Sequence, residues 1–305
     1  MFAAVLLLAA AAARVAEPAG ASGPGAWIGL ALAVVLAGAV AAILVRRWLR
    51  RTSSRLRRAL RRGRRVRPRY PVVLAHGFLG FDEIEVAGAR HQYFRGIADA
   101  LEREGFVVHR PAVSRAASVA ARAEELAAHV REIDAPRVNL VAHSMGGLDA
   151  RYAIAHLGLA DRVAGLVSIG TPHLGTPLAD LGAVARLRAV LVRMGVRMDA
   201  LGDLGTAPME AFNRAVPDAP GVLYGSVVGW ATRKRDVNPV LLPSYLWLGE
   251  RSGSNDGLVP ADSQRWGEVL REIDADHFAQ IGWSRRFDAA GLYAEILAEL
   301  RARGL

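Results

Sequence analysis

One serine in this 305-residue chain stands where a nucleophile is commonly made. The run Val138-Asn139-Leu140-Val141-Ala142 is apolar and strand-like. It ends in His143-Ser144-Met145-Gly146-Gly147, and a helix-like segment follows to Leu157. Strand, tight turn and helix in that order are the context of a nucleophile elbow, which holds a serine hydroxyl exposed at the top of a sheet. The turn closes only if the residues two before and two after the serine are small. Here they are Ala142 and Gly146, so the pattern is A-x-S-x-G rather than G-x-S-x-G. An ordinary strand–turn–helix carries the same five residues, so the motif needs partners before it means chemistry.

A serine hydroxyl becomes a nucleophile when a base takes its proton, and a carboxylate orients that base. In elbow-type sites the chain order is serine, acid, histidine. Of the eight histidines, His156, His173 and His277 follow Ser144. His156 falls on the helix after the elbow. His173 comes too early to leave room for an acid on a later strand. His277, in Asp274-Ala275-Asp276-His277-Phe278, is therefore the expected base. The expected acid is Asp256, set among turn formers in Gly253-Ser254-Asn255-Asp256-Gly257 ahead of a short apolar segment. Asp236, Asp262, Asp274 and Asp276 compete for that role. Asp236 sits among Arg233, Lys234 and Arg235 as a surface charge would, and Asp262 follows Pro260 as a helix cap would. Asp274 and Asp276 lie too near His277 in sequence.

A developing oxyanion needs two backbone N–H donors. One is expected from Met145, directly after the serine. The other is expected from Phe78 in His76-Gly77-Phe78-Leu79-Gly80, a glycine-bearing loop after an apolar strand at Pro71–Ala75.

The elements that must carry these groups alternate. Tyr93, Phe94, Ile97, Ala98 and Leu101 recur at helical spacing, Phe106–His109 reads as a strand, and Val119–Ile133 as a helix. Val138–Ala142 is a strand, Met145–Leu157 a helix and Val163–Ile169 a strand. The repetition predicts an α/β fold: a mostly parallel sheet with helices on both faces. Ser144 then falls at the carboxyl end of a strand, where open α/β sheets place their sites.

The chain has no cysteine, which removes disulfides, thiolate metal sites and cysteine nucleophiles. Its charge of +10 is unevenly spread. Residues 46–69 hold 13 arginines and no acid, residues 1–69 sum to +13, and residues 70–305 therefore carry −3. A nucleic-acid-binding domain would be basic on its folded part, so no nucleic-acid partner is expected.

Ala26–Val45 is 20 residues without a charge, the length of a membrane-spanning helix. Arg46-Arg47-Trp48-Leu49-Arg50-Arg51 follows as an interface anchor. Residues 2–13 form a shorter apolar run, either a short first span or a signal segment. The expected organisation is a membrane anchor at 1–45, a basic juxtamembrane linker at 46–69 and a catalytic domain at 70–305. The positive-inside rule turns that domain to the cytoplasmic side of a bacterial inner membrane, with a periplasmic domain as the alternative. Residues 46–69 are arranged either as an amphipathic helix on anionic lipid or as a solvated linker.

At this point the chain resembles a family. Tyr70–Asp82, Val138–Tyr152, Val167–Thr176 and Ser254–Pro260 resemble the corresponding segments of bacterial triacylglycerol lipases and esterases of the α/β-hydrolase superfamily. The resemblance covers residues 70–180 well, then the Asp256 and His277 loops, and 181–250 only loosely. It implies the α/β-hydrolase fold, a lipid or acyl-ester substrate, and ester hydrolysis through an acyl-serine with Ser144 as nucleophile, His277 as base and Asp256 as its partner. It implies no cofactor and names no protein partner. Better-studied lipases of this type hold a structural calcium with an Asp two residues and a Gln six residues after the catalytic histidine. Those positions are Ala279 and Trp283 here, and Asp236 alone stands where another ligand would be, so no metal is expected. A small helical cap is expected at about 178–215, where Leu181, Val184, Leu187, Leu191, Met194, Met198 and Leu201 form an apolar stripe. An acyltransferase or phospholipid-remodelling enzyme using the same triad is the alternative activity, and a non-catalytic membrane scaffold the alternative class.

Overall fold

Six segments of this chain hydrogen-bond side by side into one wholly parallel sheet. In the computed structural model they are β1 (Val72–Ala75), β4 (Val108–His109), β5 (Val138–His143), β6 (Val163–Ile169), β7 (Leu223–Trp230) and β8 (Glu268–Asp274), in spatial order β4-β1-β5-β6-β7-β8. Strands buried on both faces read as continuous apolar runs rather than alternating ones. β1, β5 and β6 are buried at every residue, which is why they are visible in sequence. The edge strands differ: β4 is two residues long, and β8 carries Glu268, Arg271 and Glu272 on a largely solvated strand. Short or charged edges discourage pairing with other chains. A separate antiparallel pair, β2 (Glu83–Val86) with β3 (Ala89–Gln92), follows the loop after β1 and has no counterpart in the sequence expectations.

The structure describes residues 69–80, 83–86, 89–182, 184, 193 and 198–305. The chain divides into the units Met1–Val66 and Arg67–Leu305, and the described residues belong to the second. The expected spans at 2–13 and 26–45, the basic segment up to Pro68, and Leu187, Leu191 and Met194 of the cap stripe lie outside the described residues. Among the described residues no helix is long and apolar enough to cross a membrane.

Successive strand residues point to opposite faces, so each strand feeds two cores. Val72, Leu74, Val141, Val167 and Ile169 pack with α1 (Ile97–Arg103) and α7 (Ala289–Ala302). Val73, Ala75, Leu140, Ala142 and Leu166 pack on the other face with α2 (Val119–Glu132) and α3 (Gly146–His156). Leu126, Ala127 and Val130 of α2 are fully buried. Truncating one such leucine typically costs about 2–5 kcal/mol. Ser118 caps α2 through Ala121 N–H, and Asp288 caps α7 through Gly291 N–H. Tyr93 and Phe94, expected within the first helix, precede it. Gly96 takes a left-handed turn at φ 68°, and the helix begins at Ile97.

Of the cap, α4 (Ala200–Asp203) and α5 (Thr206–Ala215) are described. Ala200, Leu204 and Met209 form a third apolar cluster with Met145, Leu148 and Phe78, so these short helices pack against the elbow and the loop after β1. A further helix, α6 (Leu242–Ser252), precedes the Asp256 turn.

Candidate active site

β5 ends at His143, and the chain turns at Ser144 with φ 55°, a left-handed conformation rare for a residue with a side chain. Such a backbone costs about 1–3 kcal/mol and persists only where its surroundings impose it. Three hydrogen bonds do so here. Ser144 N–H donates to Ile169 O at 2.9 Å, and Ser144 O accepts from Thr171 Oγ1 at 2.7 Å and from Gly147 N–H at 3.1 Å. Space imposes the rest. A Cβ at Gly146 would lie 2.6 Å from Ala75 O and 2.8 Å from His76 O, so α3 enters directly against the end of β1. Ala142, the nonstandard member of the motif, is buried on the α2–α3 face, where its methyl group is accommodated.

The loop after β1 is built as firmly. Gly80 N–H donates to Gly77 O at 3.0 Å, closing a turn in which Leu79 is also left-handed at φ 55°. Leu79 N–H donates to Arg115 O at 2.7 Å. His76 lies beneath: its Nε2 accepts from Val113 N–H at 3.2 Å, which places the ring proton on Nδ1, 3.0 Å from Gly77 O. Burial pushes the His76 pKa down from 6.5 to about 4, so the ring stays neutral across the physiological range. Arg122, fully buried on α2, donates to His76 O at 2.7 Å, to Ser114 O at 2.5 Å and to Asp149 Oδ2 at 2.9 Å. One guanidinium thus ties the loop to the first turn of α3, which carries the elbow. Burial pushes Asp149 up to about 7, with Arg122 opposing. Among the described residues, neither the Phe78 nor the Met145 amide donates a hydrogen bond within the protein.

The turn after α6 presents Asp256, fully buried. Its Oδ1 accepts Leu258 N–H at 2.9 Å and Val259 N–H at 2.8 Å. Its Oδ2 accepts His277 Nδ1–H at 2.7 Å and Gln280 Nε2–H at 3.0 Å. Four donors on two oxygens suit an acceptor-only carboxylate. The backbone repeats the contact: His277 N–H donates to Asp256 O at 2.8 Å. His277 in turn lies against His143, ring centroids 4.4 Å apart, one residue before Ser144. The expected acid and base are therefore in contact and stand beside the elbow. The Ser144 hydroxyl makes no hydrogen bond to His277 among the described residues. Apo sites often show this contact open, and it tightens with substrate.

The rejected competitors are engaged elsewhere. Asp236 pairs with Arg286 at 2.6 Å and with Arg233 at 3.3 Å. Asp274 binds Thr232, and Asp276 accepts from Asn238 N–H and Ala279 N–H. Asp262 is exposed beside Arg265. His173 is buried between Ser168 Oγ at 2.9 Å and Arg151, and His156 meets Tyr152 edge to face. The side-chain donor set does not fit a calcium ion: the Asp236 carboxylate faces two guanidiniums, and Ala279 and Trp283 bring no side-chain oxygen. Among the described residues no three His, Asp or Glu side chains gather as metal ligands. Three polar residues of the site were not singled out from the sequence: Tyr93, His143 and Gln280. His143 adjoins the elbow serine and Gln280 follows His277 by three residues. Proximity in sequence was their only signal.

Residues 70–191 match the family model described as the alpha/beta hydrolase fold, in agreement with the sheet and the elbow: the chain is an α/β-hydrolase. It is 29% identical to a triacylglycerol lipase of Pseudomonas fragi over 79% of this chain and 99% of that one. It is 33% identical to a triacylglycerol lipase of Vibrio cholerae over 67% of this chain and 76% of that one. It belongs to the lipase/esterase family of the α/β-hydrolase superfamily. Two solved structures share the fold. A Bacillus licheniformis lipase in mature form superposes with a TM-score of 0.62 at 24% identity, covering 76% of this chain and 92% of that one. A metagenomic carboxyl esterase gives 0.68 at 22% identity, covering 77% and 76%.

Proposed function

We propose that this protein hydrolyses carboxylic esters of lipids through an acyl-serine intermediate. Ser144 Oγ attacks the ester carbonyl carbon while His277 Nε2 takes its proton. Asp256 holds the ring in the required tautomer and stabilises the imidazolium. The oxyanion forms between the Phe78 and Met145 amides. Collapse of the tetrahedral intermediate breaks the bond to the alkoxy oxygen, and His277 returns its proton to the departing alcohol. Water then attacks the acyl-serine by the same route, releasing the acid and restoring Ser144.

The observation that carries this reading is the buried Asp256–His277 hydrogen bond of 2.7 Å beside a serine held left-handed at a strand end. The curated relatives named as triacylglycerol lipases support a lipid ester as substrate. The apolar run at 26–45 and the arginines that follow support a membrane-anchored enzyme facing the cytoplasm.

The test is turnover of p-nitrophenyl esters of graded chain length by the full chain in detergent, beside Ser144→Ala. The expected loss in kcat is about 10⁴-fold or more, with long acyl chains preferred. Unchanged turnover in Ser144→Ala would overturn the mechanism. A reporter fused after Arg69 that is active only in the periplasm would overturn the topology.

A further inference from the structure

Gln280 is fully buried, and no step of the hydrolysis proposed above uses it. Its amide fills a slot opened by two glycines. A Cβ at Gly170, just past β6, would lie 2.2 Å from Gln280 Oε1, and a Cβ at Gly229 in β7 would lie 2.4 Å from Gln280 Nε2. An amide enclosed in this way cannot turn to water, so its polar atoms must be answered inside the protein. Nε2 donates to Asp256 Oδ2, the oxygen that also receives His277 Nδ1–H. A carboxylate only accepts, which fixes which end of the amide faces it. Gln280 Oε1 is then left buried without a donor.

A matching orphan lies beside it. Gly77 N–H donates to the Tyr93 oxygen at 3.2 Å, and the Tyr93 hydroxyl stands 2.8 Å from His143 Nδ1, where it can donate its proton to the ring. With the Tyr93 hydroxyl donating, His143 carries its own proton on Nε2, which is buried with no acceptor at full hydrogen-bond geometry. Burial and the neighbouring His277 ring hold the His143 ring neutral, while the Gln280 side chain and the His277 backbone both act on it in the opposite sense, as acceptors do, the Gln280 side chain the more strongly.

We propose that Gln280 is a positioning residue that joins the Asp256–His277 pair to the oxyanion loop, through His143 Nε2–H, Tyr93 and the Gly77 amide. The proposal rests on the hydrolase reading above. Its consequence is that the acid–base arm and the residue preceding the Phe78 donor are set by one continuous polar chain, although they come from opposite ends of the domain.

The test is a double-mutant cycle on the full chain: native, Gln280→Met, Tyr93→Phe and the pair. The assay is p-nitrophenyl butyrate hydrolysis from about pH 5 to 9. Each single change is expected to lower kcat about tenfold with KM within about twofold, the worth of a hydrogen bond to a charged or buried group. The pair is expected to lose no more than the worse single variant, because both cut one chain. In Gln280→Met the acidic limb of the pH profile is expected to move upward, because Asp256 directs more of its charge to His277. A packing role alone would lower the melting temperature and leave that limb in place. Losses that multiply to within about twofold, or an unmoved limb, would overturn the proposal. If Gln280→Met gives no cooperative melt, Gln280→Leu, which also removes both polar atoms, takes its place in the cycle with the same expectation. A native protein that neither turns over ester nor takes a fluorophosphonate label at Ser144 removes the hydrolase reading. An active, labelled native protein with an additive cycle removes the bridge alone.

Discussion

Replacing Gly146 by alanine tests how closely the elbow is pressed onto the loop after β1. The added Cβ would meet Ala75 O at 2.6 Å, His76 O at 2.8 Å and Ala75 C at 3.0 Å, all backbone atoms that cannot rotate away. Reaching the 3.0 Å limit of real contacts requires a retreat of about 0.4 Å, and reaching 3.4 Å about 0.8 Å. Overpacking of this kind costs about 1–3 kcal/mol. For a domain of this size that lowers the melting temperature by about 2–12 °C. The larger effect is expected in catalysis. His76 leads directly into the turn carrying Phe78, and α3 begins beside Met145, so the retreat widens the space between the two proposed oxyanion donors. A misplacement approaching 1 Å costs up to about 10²-fold, so kcat should fall about ten- to a hundredfold. Gly249→Ala is the control: in α6 its nearest neighbour would be Asn255 Nδ2 at 3.8 Å, an ordinary contact. It should gain about 0.5–1 kcal/mol from helix propensity and keep native turnover. The assay is p-nitrophenyl ester hydrolysis beside a thermal melt for both variants. Native kcat and melting temperature in Gly146→Ala would refute the steric argument.

Two further outcomes follow from the buried titratable groups. His76 has its pKa lowered by burial from 6.5 to about 4, so unfolding takes up a proton between those values. The stability it contributes is full above about pH 6.5 and is lost as pH falls through about 4, a total of about 3 kcal/mol. Urea titrations should show a shallower acid loss in His76→Gln, and equal slopes would refute the assignment. Arg122→Met should cost about 3–5 kcal/mol because it leaves the Asp149 carboxyl buried without its cation. Adding Asp149→Leu should restore most of that stability in denaturant titrations but not the activity, since His76 O still lacks its donor. Full recovery of turnover in the pair would show that Arg122 does not hold the loop.

The central strands were legible because parallel strands buried on both faces must be largely apolar, and Val138–Ala142 and Val163–Ile169 are, with Asn139 and Ser168 as their polar exceptions. The contact of Asp256 with His277 could be anticipated from chain order and turn residues, because an Asx-type turn leaves a local signature. Edge strand β8 could not, since Glu268, Arg271 and Glu272 hide its period, and the pairing of Glu83–Val86 with Ala89–Gln92 interrupts no apolar pattern. Tyr93 was expected to pack in a helix by its spacing. The left-handed Gly96 delays the helix and leaves the Tyr93 hydroxyl for Gly77 and His143. Gln280 was invisible for a more general reason. Its environment is two glycines, Gly170 just past β6 and Gly229 in β7, 110 and 51 residues upstream, and no local pattern encodes a slot assembled over that separation.

The hydrogen bond from Ser144 N–H to Ile169 O carries one more implication. It extends the ladder between β5 and β6, the two innermost strands of the sheet. Amides of such central strands exchange with solvent mainly through the larger openings of a domain, and Ser144 N–H is expected among the slow ones. The backbone geometry of the elbow is therefore expected to belong to the last cooperative unit to unfold. Heat should not slacken that turn while the rest of the sheet stands, and its loss should coincide with the loss of the native state itself.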